Sequence, residues 1–296
     1  MKNKDEFVKT IVEKLKDFYG TDAEVSTQNI IKTNDTMNIG VLIKFNMSEK
    51  NGIAPVIYLD SYYEDYIGGE DIDVITEQIT EIAEESNDAE YLKDAVSELH
   101  SWEKCKNKIY PVLISTERNS EMLQNLVSTA VLDLSAIYIV RMQLLEESMG
   151  TVKITKDLLN KWGITIEELH ATAIRNMEND KYSAVDIKKL IFGMDIDEKE
   201  SCDLEYEMLV LTNDRKMYAA AGVLNTEFMS RIVENRRYYM IPSSVHEWIM
   251  IPESDNVIAK LLNYKIQDVN KTLDENEVLS DHVYLYSIEN GLEMCA

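Results

Sequence analysis

Between Asp60 and Glu103 the chain carries fifteen acids and a single base, Lys93. This stretch holds fourteen of the twenty-four net negative charges of a 296-residue chain. Charge of this density keeps a segment extended unless it has apolar surface to bury. Here it has: Ile72, Ile75, Ile79 and Ile82 recur at helical spacing, and Asp73, Glu77, Glu81, Glu84 and Glu85 fall on another side of the same helix. A second helix is expected to carry Leu92, Ala95, Val96, Leu99 and Trp102 inward. The acids are therefore predicted to decorate two folded helices across residues 70–103, not a loose tail.

The remaining composition narrows the function classes. With 45% apolar residues the chain can build one large domain or two ordinary ones, and only 4 Pro and 10 Gly favour long regular elements. A net charge of −24 disfavours direct nucleic-acid binding, which replaces counterions with Lys and Arg. It equally disfavours an anionic membrane surface. Cys105, Cys202 and Cys295 are odd in number and contain no C-x-x-C, which fits free thiols in a reducing compartment. The first residues, MKNKDEFVKTIVEKL, have no continuous apolar core of a signal peptide, and no run approaches the roughly 18 apolar residues of a membrane helix. A cytoplasmic location is expected.

Periodicity predicts an α+β fold of mixed, largely antiparallel sheets with packed helices, in two regions. Residues 1–178 form the first, with the acidic helices 70–103 and a helical pair at 155–178. Residues 179–203 are a charged connector, and 204–296 a ββαββαβ region. In the first region, Phe7, Val8, Ile11, Val12, Leu15, Phe18 and Tyr19 mark an amphipathic helix ended by Gly20. Glu24–Ile31 and Ile39–Phe45 read as a hairpin, and Pro55–Leu59 as a third strand. Lys108–Ser115 is another strand, and Leu132–Leu145 accommodates one or two. Ser148-Met149-Gly150 reads as a turn before the short strand Thr151–Ile154. Thr155 and Gly163 bracket a short helix, and Thr165 with Glu168 opens the next. In the last region, Tyr206–Thr212 and Met217–Val223 read as a hairpin and Thr226–Asn235 as a helix. Tyr238–Ile241 and Glu247–Ile251 are strands, Ser254–Thr272 a helix, and His282–Ser287 the last strand.

Six stretches carry a resemblance: PVIYLDSYYEDY (Pro55–Tyr66), VLDLSAIYIV (Val131–Val140), GTVKITKDLLNKWGITIEEL (Gly150–Leu169), LVLTNDRKMYAAAGVLN (Leu209–Asn225), YYMIPSSVHEWIMIP (Tyr238–Pro252) and EVLSDHVYLYS (Glu277–Ser287). Together they resemble an uncharacterised bacterial family, a domain of unknown function common in Gram-positive gut bacteria. Relatives of that family also occur within genes of mobile elements. The resemblance implies a bacterial, intracellular protein of compact α+β fold. It brings no activity, cofactor or catalytic residue with it, and the mobile-element association implies conflict with, or regulation by, other macromolecules.

Few constellations offer chemistry. Ser244, His246 and Asp281 are a nucleophile, base and orienter if the fold gathers them, with His282 beside Asp281; this is the hydrolase-type alternative. No G-x-S-x-G elbow is present, and a Ser243–Ser244 turn is the simpler account. His246-Glu247 begins like H-E-x-x-H, but Met250 stands at the second His position. Asp195-Ile196-Asp197 begins like a calcium loop, but Glu200 stands where Gly is required. No metal and no cofactor are therefore expected, and both glycine-rich nucleotide loops are missing. The Trp162–Thr165 junction resembles a helix-turn-helix corner, but Glu167, Glu168, Glu178 and Asp180 against Arg175 would meet phosphate with the wrong sign.

The acidic run remains. Glu77, Glu81 and Glu85 repeat about 6 Å apart along a helix axis, of the order of phosphate spacing along a nucleic-acid strand. With Asp73, Glu84 and Glu98 they offer a basic protein surface, possessed for example by a nucleic-acid-binding protein or complex, a mimic of its usual ligand. Tyr62, Tyr63 and Tyr66 are anchors for such an interface or cover for the core edge. A merely solvated acidic face is the plainer reading of the same residues.

Overall fold

A computed structural model describes residues 2–45, 56–88, 97–143, 149–192, 208–254 and 259–295. The fold is α+β, with three sheets in which every paired strand runs antiparallel among the described residues. The chain forms two compact units. One comprises Met1–Lys32 and Thr36–His100; the other comprises Thr33–Asp35, Ser101–Gln143 and Ser148–Ala296. Residues 1–178 thus contribute to both units, and the chain divides near Ser101, not within 179–203.

The first unit is built on helix α1 (Lys4–Tyr19). Asn3 caps it by a reciprocal box: its side chain accepts the Glu6 N–H at 2.9 Å, and the Glu6 carboxylate accepts the Asn3 N–H at 3.4 Å. Phe7, Ile11, Leu15 and Tyr19 repeat every fourth residue and are buried, and Gly20 at φ 53° ends the helix. Strands β1 (Ala23–Ile31) and β2 (Met37–Phe45) pair from Ala23↔Phe45 to Ile31↔Met37, and β3 (Val56–Tyr58) joins β2. At Gly40 a Cβ would come within 2.3 Å of Val56 Cγ1, so only glycine lets β3 approach there. Helix α2 (Leu59–Gly68) follows, where the sequence pattern showed only a run of acids and tyrosines.

Helix α3 (Ile72–Asp88) buries Ile75, Ile79 and Ala83 against the core of α1. The buried line follows i, i+4, i+8. Ile82 lies off it and is 40% exposed, contrary to the expected stripe. Leu92, Ala95 and Val96 of the expected second acidic helix lie outside the described residues. Trp102 instead opens a short helix of its own, α4 (Trp102–Cys105), and rests on Trp162 at 5.6 Å between ring centroids.

In the second unit β4 (Ile109–Ser115), buried along its whole length, pairs with β6 (Leu134–Gln143). The other edge of β6 is shared by β5 (Ser128–Val131) and β7 (Met149–Lys153), one after the other. Helix α5 (Lys156–Trp162) is capped by Thr155 and ended by Gly163 at φ 69°. Helix α6 (Ile166–Asn176) is capped by Thr165 and lays Leu169, Ala173 and Asn176 inward, as a corner in the core.

The third sheet runs β13-β12-β10-β11-β9-β8. Its strands are β8 (Tyr182–Asp186), β9 (Leu209–Asn213), β10 (Tyr238–Ser244), β11 (Glu247–Pro252), β12 (Tyr284–Ser287) and β13 (Gly291–Met294). Two expectations are corrected here. The supposed connector contains β8 and helix α7 (Ile187–Phe192), with 193–203 outside the described residues. All five residues of β8 are half-buried, as on an edge strand, so no alternation announces it. The supposed strand Met217–Val223 is a turn into a buried 3-10 helix, Ala219–Leu224, and β9 pairs with β8 and β11 instead. The small residues Ala219–Gly222 allow that turn to lie on β9; a Cβ at Gly222 would stand 2.8 Å from Leu211 Cδ2. Helices α8 (Thr226–Val233) and α9 (Ala259–Asn270) complete the unit around Trp248, Tyr238, Tyr284 and Met240.

Ile79→Ala is expected to cost about 2–5 kcal/mol, the range for emptying a core site. Ile82→Ala is expected to cost no more than about 0.5 kcal/mol. Denaturant midpoints at constant slope compare them, and equal losses would contradict the register of α3.

Candidate functional site: an acidic groove in the first unit

Because α1 and α3 commit their inner stripes to the core, the residues beside those stripes frame an open groove. Lys14, Asp17 and Phe18 line it from α1. Asp73, Thr76, Glu77, Thr80, Glu81 and Glu84 line it from α3, enclosing about 570 Å³. Five carboxylates thus face one ammonium. Lys14 and Asp73 form an ion pair, and that hydrogen bond, followed by the Asp73 charge, pushes the lysine above its ordinary value. The remaining groove carboxylates are exposed. The Thr76 hydroxyl donates to the Ile72 carbonyl at 2.7 Å and that of Thr80 to the Thr76 carbonyl at 2.9 Å, so both hydroxyls are engaged by the helix backbone.

Phe18, expected inward, is 63% exposed, and its ring meets Tyr19 edge-on at 4.9 Å. The stripe of α1 advances by four residues to Tyr19, which leaves the preceding position on the groove side. An exposed phenyl ring among carboxylates is the one feature of this face that charge alone does not account for.

Asp73, Glu77, Glu81 and Glu84, singled out from the sequence, are therefore gathered on one groove. Glu85 is exposed on α3 but does not line it, and Glu98 lies beyond α3, half-buried. Tyr62, Tyr63 and Tyr66 are placed elsewhere. Tyr63 and Tyr66 pack on Phe7 at 5.4 and 5.2 Å, all three cover the core, and Tyr66 accepts the Lys2 N–H at 3.0 Å. Burial, then the nearby Asp65, raises the Tyr62 hydroxyl. Lys14, Asp17 and Phe18 were missed because they belong to a different helix, 59 residues before their partners in the case of Lys14 and Asp73.

Ser244, His246, Asp281 and His282 all lie in the second unit, and no hydrogen bond joins their side chains. Ser244 Oγ accepts the backbone N–H of His246 at 3.0 Å, holding the tight turn of the β10–β11 hairpin. Ser243 Oγ donates to Glu247 at 3.1 Å. His246 Nδ1 accepts the Tyr218 N–H at 3.1 Å. The Asp281 oxygens are taken by Arg118 Nη2 at 2.8 Å and Asn270 Nδ2 at 2.7 Å, and the His282 N–H donates to Ser280 Oγ at 3.1 Å. The nucleophile thus serves a turn, the base serves a loop, and the orienter is spent on an arginine.

Among the described residues no three His, Cys, Asp or Glu side chains cluster as metal ligands. No helix among them is long and apolar enough to cross a membrane. Residues 4–288 match a family model described as a family of unknown function, DUF5688. The chain belongs to this family. No curated protein and no solved structure matches it. The description of DUF5688 assigns no activity, so the groove of this member must be read from its own chemistry.

Asp281 gives a pH test of the second unit. Partial burial pushes its carboxyl up, but hydrogen bonds from Asn270 and Arg118 outweigh this and hold it below its ordinary 3.8. The unfolded chain then takes up the proton first, so the stabilisation is complete above 3.8 and is lost as pH falls through the lower folded value. Asp281→Asn is expected to flatten the acid limb of stability below about pH 4. Denaturant midpoints taken against pH check this, and an unchanged acid limb would contradict it.

Proposed function

We propose that the chain is a cytoplasmic binding protein whose α1–α3 groove receives a basic, amphipathic surface of another macromolecule. The observation that carries this reading is the exposed Phe18 ring set among Asp17, Asp73, Glu77, Glu81 and Glu84. Carboxylates steer a cationic surface and set its register. A ring gives that surface an apolar contact that survives salt. Cation–π attraction to an arriving Arg or Lys adds to both. A groove of this kind selects a protein with alternating basic and apolar residues over a bare cation.

The sharper form of the proposal is that the partner is a nucleic-acid-binding protein, whose basic surface engages the acids of α3 in place of nucleic acid. Acids one helical turn apart along α3 supply the spacing, and the helix supplies the rigidity. The resemblance to a bacterial family with relatives within genes of mobile elements favours this form, since such elements meet nucleases and defence complexes. The hydrolase alternative receives no support from the partners of Ser244, His246 and Asp281 described above.

Reversing Glu77, Glu81 and Glu84 together to Lys is expected to weaken capture of basic partners about tenfold or more. Reversing Glu13, Glu24 and Glu64, which change net charge equally outside the groove, is expected to leave it intact. Phe18→Ala is expected to weaken capture at both low and high salt, whereas the contribution of the acids fades as salt screens them. Quantitative pull-downs compare the variants. Equal losses from the two reversal sets would show that net charge, not the groove, does the work, and would sink the proposal.

A further inference from the structure

The loop Asp214–Tyr218, between β9 and the buried Ala219–Leu224 turn, is held in a conformation that its own residues resist. Lys216 and Tyr218 have φ of 53° and 54°, the left-handed region that side chains with a Cβ disfavour. Two side chains maintain it. Asn213 grips Met217 twice, donating Nδ2–H to the Met217 carbonyl at 3.0 Å and accepting the Met217 N–H at 3.3 Å. His246 grips the next residue: Nδ1 accepts the Tyr218 N–H at 3.1 Å, the two rings lie 5.3 Å apart, and the His246 carbonyl takes the Ala219 N–H at 3.1 Å.

The two grips differ in one respect. The amide of Asn213 does not titrate, whereas the lone pair on His246 Nδ1 exists only in the neutral imidazole. The groups facing the ring are few. Glu277 Oε1, from the turn Glu275–Glu277, lies 3.7 Å from Nε2. Tyr218 faces it from the loop, and Glu247, its neighbour on β11, is engaged by Ser243. Asp214, Arg215 and Lys216 stand exposed in the loop itself. A second proton on the ring would find a carboxylate beside Nε2 and would set N–H against N–H at Tyr218.

We propose that His246 is a proton-operated latch: neutral, it pins the strained Asp214–Tyr218 loop, and protonated, it releases Tyr218 while Glu277 holds the imidazolium. The consequence reaches a buried charge. The same loop places Arg215 Nε 3.4 Å from Asp180, whose carboxylate is fully buried and also binds Arg141 Nη1 at 2.6 and 2.7 Å. Release loosens Arg215 while the Arg141–Asp180 pair persists. The loop Asp214–Tyr218 is thus the segment of the second unit whose order follows proton concentration.

The test is amide hydrogen exchange at Tyr218 in the full chain, followed by NMR with the intrinsic pH dependence divided out. Protection of Tyr218 is expected to fall about tenfold as pH is lowered and the imidazole takes up its second proton, the size of one lost hydrogen bond. His246→Asn places a non-titrating oxygen near the Nδ1 position, and its Tyr218 protection is expected to stay level over the same range. Protection in the wild type that ignores pH, or that falls in His246→Asn as it does in the wild type, would overturn the latch. Imidazole ¹⁵N shifts in the wild type give a reading that needs no variant. Loss of Tyr218 protection must track the titration of His246, and a loss at any other pH refutes the mechanism.

Discussion

The seam between α1 and α3 is the contact on which the first unit depends. Phe7, Ile11, Leu15 and Tyr19 meet Ile75, Ile79 and Ala83 in one buried cluster. Each large side chain removed from water contributes roughly 1.5–3 kcal/mol. Against this, two carboxylates about 6 Å apart in bulk water repel by only about 0.7 kcal/mol. The seam therefore outweighs the repulsion it creates, and the acids of α3 are held in a row that they would not choose. The groove is a by-product of that packing, because its lining residues sit beside the buried stripes of α1 and α3.

Charge is handled in the opposite way in the second unit, where it is buried and paired. Asp180 has no exposed side-chain surface and is met by Arg141, whose guanidinium also lies 3.7 Å over the Tyr110 ring. The Tyr284 hydroxyl donates to Asp133 at 2.6 Å. Asn34, at φ 61°, gives its side-chain N–H groups to the carbonyls of Glu275 and Val278 and accepts from Asn119. Such pairs add little net stability over an apolar replacement but penalise every arrangement that breaks one.

What could be read in advance divides along physical lines. Elements whose apolar residues keep one period were legible: α1, the β1–β2 hairpin, β4, the Thr155 and Thr165 caps, and the strands β10 and β11 all lie where periodicity and capping put them. The misplaced ones lack a period. Strand β8 is half-buried throughout, and Ala219–Val223 is apolar at every position, so neither offers a contrast to read. Half of the groove was legible for the same reason. The acids of α3 share a helix and declare their spacing, whereas Lys14, Asp17 and Phe18 reach them only through tertiary packing. Phe18 was also placed wrongly, because an apolar residue one position off a stripe has the composition of a core residue and the geometry of a surface one.

The central claim is that the groove, and not the charge as a whole, is the binding surface. A short amphipathic helix of Lys and Leu, titrated into isotope-labelled chain and followed by chemical-shift mapping, tests it most directly. The account predicts that the largest shifts fall on Phe18, Thr76, Thr80 and Glu81, and that they persist in part at high salt because the phenyl contact is not screened. Shifts spread evenly over the exposed acids of both units, vanishing together as salt is added, would contradict it.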